Sequence, residues 1–124
     1  MSYTEATNVD GVLVVEFNDS QIVDEKRIKQ LGAELMDRAN EAGGKLLLNF
    51  QQVLILSSAM LTQLVLLHNK CKKEDIDLRI CQVSEKIMEV FKLVRFNKLV
   101  KVYDNEENAL TAYNKRGLFA WGKN

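Results

Sequence analysis

Two adjacent hydroxyls, Ser57 and Ser58, interrupt the apolar stretch L-I-L-S-S-A-M-L-T-Q-L that runs from Leu54 to Leu64. A serine hydroxyl can cap a helix, accept a phosphoryl group, or attack a carbonyl when a base activates it. The last of these needs a partner. The chain holds one histidine, His68, and no acid–histidine pair is apparent. His68 falls at the edge of a helix's core face and reads as a tolerated helix residue, not a catalyst. Cys71 and Cys81 stand in apolar contexts and read as small core residues. One histidine and two separated cysteines do not compose a zinc site, so no metal is expected. Gly43-Gly44 follows a predicted helix, whereas a phosphate-cradling loop places its glycines between a strand and a helix. No enzyme and no cofactor are expected. Capping and phosphoryl acceptance remain as roles for the serine pair.

Helical phase separates the two serines. At about 100° per residue, Met60, Leu64, Leu67 and Cys71 share one side, the predicted core face. Ser57 precedes the helix and fits its N-cap, where a side-chain oxygen accepts one of the first unpartnered amides. Ser58 sits in the first turn on the opposite side, in line with Thr62, Leu66, Asn69 and Lys73. That stripe reads either as an ordinary solvated face or as a surface where a partner docks. A helix N-terminus tolerates negative charge. A phosphate on Ser58 would meet free amides and the positive dipole end, and would leave the fold intact while changing the surface a partner reads.

The elements that position this pair follow from periodicity. Gly11 to Phe17 is an apolar, β-branched strand, with Tyr3 to Thr7 as an edge strand joined to it through N-V-D-G. Asp24 to Ala42 reads as a helix stopped by Gly43-Gly44. Lys45 to Phe50 is a short strand suited to burial on both faces. The second helix spans Ser58 to Lys73, and Asp77 to Cys81 is the next strand. Ser84 to Val94 is a third helix, with Ser84 as cap and Ile87, Phe91 and Val94 on its inner face. Leu99 to Tyr103 is the last strand, and Asp104 or Asn105 caps a final helix through Tyr113. Strands separated by helices imply right-handed crossovers and parallel pairing. The expected fold class is α/β: a compact layer structure with a mostly parallel sheet of four to five strands and about four helices. No linker or repeat divides the 124 residues, so one domain is expected over 1–124, with a core of about 8–113 and a tail of 114–124.

Composition narrows the partners. Lys and Arg number 17, as do Asp and Glu, and the cations are spread among acids. The mixed clusters E-K-R-I-K and K-C-K-K-E-D read as solvated helix faces, the alternative being that Lys70, Lys72 and Lys73 meet an acidic partner. Neither nucleic acid nor membrane is expected as a partner. The first ten residues show no basic region followed by an apolar one, so a cytoplasmic, reduced setting is expected. In the tail, Leu118, Phe119 and Trp121 are three large apolar residues in a short glycine-flanked segment. They are expected either to fold back on the domain or to dock on a partner or a second copy.

The segment L-L-L-N-F-Q-Q-V-L-I-L-S-S-A-M-L resembles the buried strand, loop and D-S-[ST]-G-L of the STAS domain of bacterial anti-sigma factor antagonists. The resemblance continues through L-R-I-C-Q-V-S-E-K-I-M-E-V-F-K-L-V-R-F-N-K-L-V-K-V-Y-D-N-E-E-N-A-L and covers about residues 8 to 113. It implies a non-catalytic protein-binding regulator. Its partner would be an anti-sigma factor, a serine kinase of the histidine-kinase-like ATPase fold. It also implies that the second hydroxyl of the pair, Ser58, is the phosphorylated residue, and that an acid near the start of the first helix assists, Asp24 or else Asp19. The chain departs from the pattern beside the pair: Leu56 stands where the family carries an acid and Ala59 where it carries glycine. The alternative within the resemblance is a scaffold subunit of a larger regulatory or transport complex, acting without phosphorylation, with self-association into a homodimer as one form of it.

Overall fold

The run K-L-L-L-N has no alternation of apolar and polar residues because both of its faces are covered. In the computed structural model, which describes the backbone of residues 2–122 and the side chains of 2–114, it is the central strand of a five-stranded sheet. In chain order the strands are β1 (Thr4–Val9), β2 (Val12–Phe17), β3 (Gln21–Ile22), β4 (Lys45–Asn49), β5 (Ile55–Leu56), β6 (Asp77–Cys81) and β7 (Lys101–Tyr103). The helices are α1 (Glu25–Glu41), α2 (Ser58–Lys73), α3 (Glu85–Leu93) and α4 (Glu106–Gly122), with a 3-10 turn at Phe96–Lys98. The main sheet runs β1-β2-β4-β6-β7. β1 pairs antiparallel with β2, and all other pairs in it are parallel. Asp10 and Gly11 both hold positive φ, 52° and 84°, as the two-residue turn between β1 and β2 requires.

Successive residues of each strand feed opposite cores. Leu13, Val15, Phe17, Leu46, Leu48 and Ile80 pack beneath α1, α2 and α3. Val12, Val14, Leu47 and Cys81 pack with Ala109 and Tyr113 of α4 on the other side. Three helices therefore cover one face and one helix covers the other. α1 and α2 lie close enough that a β-carbon on Gly32 would run into the Gln63 side chain.

Several boundaries differ from the sequence reading. The first strand, read as Tyr3 to Thr7, runs Thr4–Val9 because pairing with β2 extends up to the Asp10–Gly11 turn. The last strand begins at Lys101, not Leu99, because Leu99 and Val100 amides donate back to the Phe96 carbonyl (2.9 and 3.1 Å) and close the 3-10 turn. Val94 is not on the inner face of α3. It is the C-cap, 54% exposed, and Arg95 follows in the left-handed region at φ 62°. The final helix does not end near Tyr113 but continues to Gly122, since Gly117 within it costs only about 1 kcal/mol and no proline follows. The side chains of Leu118, Phe119 and Trp121 lie outside the described residues.

The edge strand is fastened to α1. Glu34 accepts from the amides of Tyr3 (3.0 Å) and Thr4 (2.7 Å) and from the Thr4 hydroxyl. Arg38 donates from Nε to Thr4 Oγ1 (3.0 Å) and from Nη2 to the Thr4 carbonyl (3.1 Å). Burial pushes the Glu34 carboxyl up, but these hydrogen bonds and the Arg38 charge outweigh it and hold its pKa below the ordinary value. The stabilisation is therefore present above the unfolded glutamate pKa, about 4.3, and is lost as pH falls through the lower folded value. In urea titrations, Glu34→Gln is expected to be less stable than the wild type at pH 7. That difference should shrink as pH falls below 4.3. A gap that persists unchanged at pH 3 would contradict the linkage.

Candidate functional site

The two serines are placed by a second, two-stranded sheet. β3 pairs parallel with β5, matching Gln21 to Ile55 and Ile22 to Leu56. The Leu54 and Ile55 amides donate to the Ser20 carbonyl (2.8 and 3.1 Å), and the Ser57 amide to the Ile22 carbonyl (3.0 Å). The lead-ins to α1 and α2 thus run side by side. Asp24 follows Ile22 by two residues, as Ser58 follows its partner Leu56 by two.

Ser57 is the N-cap of α2, with its Oγ accepting from the Met60 amide at 3.4 Å. Ser58 is exposed, and its hydroxyl makes no hydrogen bond among the described residues; only its carbonyl is engaged, by Thr62 Oγ1 at 3.4 Å. Thr62, Leu66, Asn69 and Lys73 are exposed too. Leu56 and Ala59 are half-buried and pack against the main core, which accounts for their apolar identity. Asp24 caps α1, accepting from the Lys26 (2.9 Å) and Arg27 (3.4 Å) amides. Asp19 pairs with Arg27 at 3.1 Å. Both acids already serve α1.

The surface around Ser58 is apolar. Val23, Leu54 and Ile55 are exposed where the two lead-ins emerge. On the other side a groove of about 370 Å³ runs between α2 and the turn after α3. Ser58 and Thr62 open it. Leu61, Val65 and Leu66 form the α2 wall, and Val94, Phe96 and Leu99 form the other. Asn69 and Lys73 lie beyond it. Of these wall residues only Leu66 is on the partner-docking stripe expected from the sequence; Val94 and Leu99 are expected from it in other roles. A signal existed: Leu61, Val65 and Leu66 give α2 apolar residues off its Met60–Leu64–Leu67–Cys71 face.

The remaining reactive groups are quiet. Burial pushes the Cys71 thiol up to about 11 and the Cys81 thiol up to about 12, where the thiolate nucleophile is scarce at neutral pH. Burial, helped by the Lys72 charge, lowers the pKa of His68. Among the described residues no helix is long and apolar enough to cross a membrane.

Comparison with known proteins identifies the family and the fold. The model of the STAS domain family matches residues 3–109, and the chain belongs to that family. No curated protein sequence matches it. Among solved structures, an anti-sigma-factor antagonist (STAS) domain protein from Planctomyces limnophilus superposes with a TM-score of 0.78 at 22% identity, covering 90% of this chain and 98% of that one. A sulfate transporter family protein from Wolinella succinogenes gives a TM-score of 0.69 at 18% identity, covering 88% of each chain. The phosphorylated form of the Bacillus cell fate determinant SpoIIAA gives 0.66 at 12% identity, covering 89% of this chain and 98% of that one.

Proposed function

We propose that the chain is an anti-sigma factor antagonist: a non-catalytic module that binds an anti-sigma factor through the start of α2 and is switched by phosphorylation of Ser58. The observation that carries this reading is the exposed Ser58 hydroxyl at the α2 N-terminus, without a hydrogen bond among the described residues and set between exposed apolar residues. The partner is the serine kinase itself, of the histidine-kinase-like ATPase fold, and supplies ATP and the base. Ser58 Oγ attacks the γ-phosphorus, gives up its proton, and ADP leaves. The product carries about −1.5 to −2 charges at pH 7, which the helix N-terminus tolerates. A partner pressed on the apolar surroundings does not tolerate a doubly charged group there and is released. The setting for this exchange is the cytoplasm. The likeness to SpoIIAA in its phosphorylated form supports the reading.

A second reading is a scaffold subunit of a larger regulatory or transport complex. The likeness to the sulfate transporter family protein and the apolar Leu56 beside the serines favour it. Intact-mass analysis after incubation with ATP and the serine kinases of its own organism separates the two. The expected result is one added phosphate in the wild type and none in Ser58→Ala. Ser57→Ala should still be phosphorylated while losing about 1 kcal/mol of stability with its cap. An unmodified wild type, or a phosphate retained in Ser58→Ala, would remove the switch and leave the scaffold.

A further inference from the structure

The groove beside Ser58 is bordered by an unusual run of charge. From Val90 to Tyr103 the chain reads V-F-K-L-V-R-F-N-K-L-V-K-V-Y, with four cations and no acid, although the whole protein is neutral. Lys92, Arg95, Lys98 and Lys101 are all exposed, and none forms an ion pair among the described residues. Three of them alternate along the chain with the wall residues Val94, Phe96 and Leu99. The groove lining is apolar apart from Ser58 and Thr62, and the exposed Lys92, Arg95 and Lys98 belong to the segment that carries its second wall. Leu66, Val94 and Leu99 are each about half exposed (46, 54 and 51%), and Leu93, the chain neighbour of Val94, is 84% exposed.

We propose that this groove receives an acidic amphipathic helix of a partner protein. The proposal rests on the reading of the α2 face as a partner surface but not on phosphorylation. Ser58, Leu61, Thr62, Val65 and Leu66 follow one another at helical spacing, which sets a length of about 12 Å, two turns of an α-helix. An occupant presenting apolar residues at i, i+3, i+4 and i+7 fills such a groove. Acids on its flanks complement Lys92, Arg95 and Lys98. A second copy of this chain presenting the same groove would set like charges against each other. An anionic membrane suits a protruding apolar edge, whereas here the apolar side chains line a concavity. A phosphate on Ser58, at the mouth of the groove, would repel the acidic helix, so the same surface is sensitive to the modification.

The test uses the unphosphorylated full chain and an array of 18-residue amphipathic peptides. Their apolar positions are fixed at i, i+3, i+4 and i+7, and their polar positions vary among Glu, Lys and Ser. Fluorescence anisotropy is expected to select Glu-rich peptides. Binding should fall about tenfold or more in the K92E/R95E/K98E variant and in 0.5 M salt. Leu66→Ser, an exposed change that spares the core, should weaken binding with no change in the melting curve. Equal binding of Glu and Lys peptides, or selection of neither, would overturn the proposal. So would capture of the protein by phosphatidylglycerol vesicles without peptide binding, or a dimer in sedimentation equilibrium that K92E/R95E/K98E dissolves. No kinase enters the assay. Failure here leaves the Ser58 reading standing on Val23, Leu54 and Ile55, and failure of Ser58 phosphorylation leaves this result intact.

Discussion

Phe50→Ala is expected to cost about 3–5 kcal/mol of unfolding free energy, a large share of the 5–15 kcal/mol that holds a typical domain. Phe50 closes the central strand and is fully buried. Its ring packs edge-on against Phe17 (4.9 Å between centroids) and Phe91 (6.0 Å), and Phe91 continues to Phe96 at 5.0 Å. The chain of four rings joins β2, the end of β4, α3 and the 3-10 turn, so truncation opens a cavity at its middle. The backbone there is also committed: the Phe50 amide donates to the Cys81 carbonyl (2.9 Å) and its carbonyl accepts from Val53. Such anchoring limits collapse into the void, which keeps the cost high. Urea denaturation followed by circular dichroism measures it. A loss under 1 kcal/mol would show that the rings do not pack as described. Phe96 belongs to both the ring chain and the groove wall, so the same substitution should also weaken whatever binds the groove.

The second large effect is expected at Arg79, a guanidinium 3% exposed between the sheet and α4. It makes a two-pronged pair with Asp77, Nε to Oδ1 at 3.0 Å and Nη2 to Oδ2 at 3.1 Å. Nη1 donates to the Tyr103 hydroxyl at 2.6 Å, and the plane lies 4.5 Å from the Tyr113 ring centroid. Burial alone lowers an arginine's pKa, but the Asp77 hydrogen bond and charge outweigh it and raise it. Breaking a buried pair by removing one member costs about 3–5 kcal/mol. Asp77 is 28% exposed and keeps part of its hydration, so Arg79→Ala is placed at the lower end, about 3 kcal/mol. Arg79→Lys should restore little, since a single ammonium cannot hold two carboxylate oxygens and a tyrosine in one plane. Thermal and urea unfolding of both variants decide this; a Lys variant as stable as the wild type would show that charge alone suffices.

The periodic parts of the chain were legible because their periods differ so clearly. Ser58–Lys73 and Asp77–Cys81 have the limits read from the sequence, and Ser57 and Ser84 cap the helices they precede. The β3–β5 pair was not legible. Each strand is two residues long, and neither carries a pattern of its own; only the pairing across the fold defines them. Val94 and Leu99 were read as an inner helix residue and a strand start because both are apolar. A left-handed Arg95 between them ends α3 and turns the chain outward. That turn also makes the groove, whose two walls come from segments nearly thirty residues apart. The K-x-x-R-x-x-K run drew no reading from the sequence, because the protein is neutral overall and the clusters that stand out, E-K-R-I-K and K-C-K-K-E-D, are mixed in charge. That this acid-free stretch also carries one wall of the groove appears only in the structure.

The unequal covering of the sheet has a practical meaning. Ser58 and the groove belong to the three-helix side, while Ala109 and Tyr113 dock α4 on the reverse. The sheet works as a bulkhead between two compartments with separate cores. A change of sequence on the α4 side, or a fluorophore fixed to an exposed α4 residue such as Thr111, faces away from the surface a partner would use. If the proposed groove is the contact surface, that side is the place to attach a reporter for watching complexes form and part without touching it.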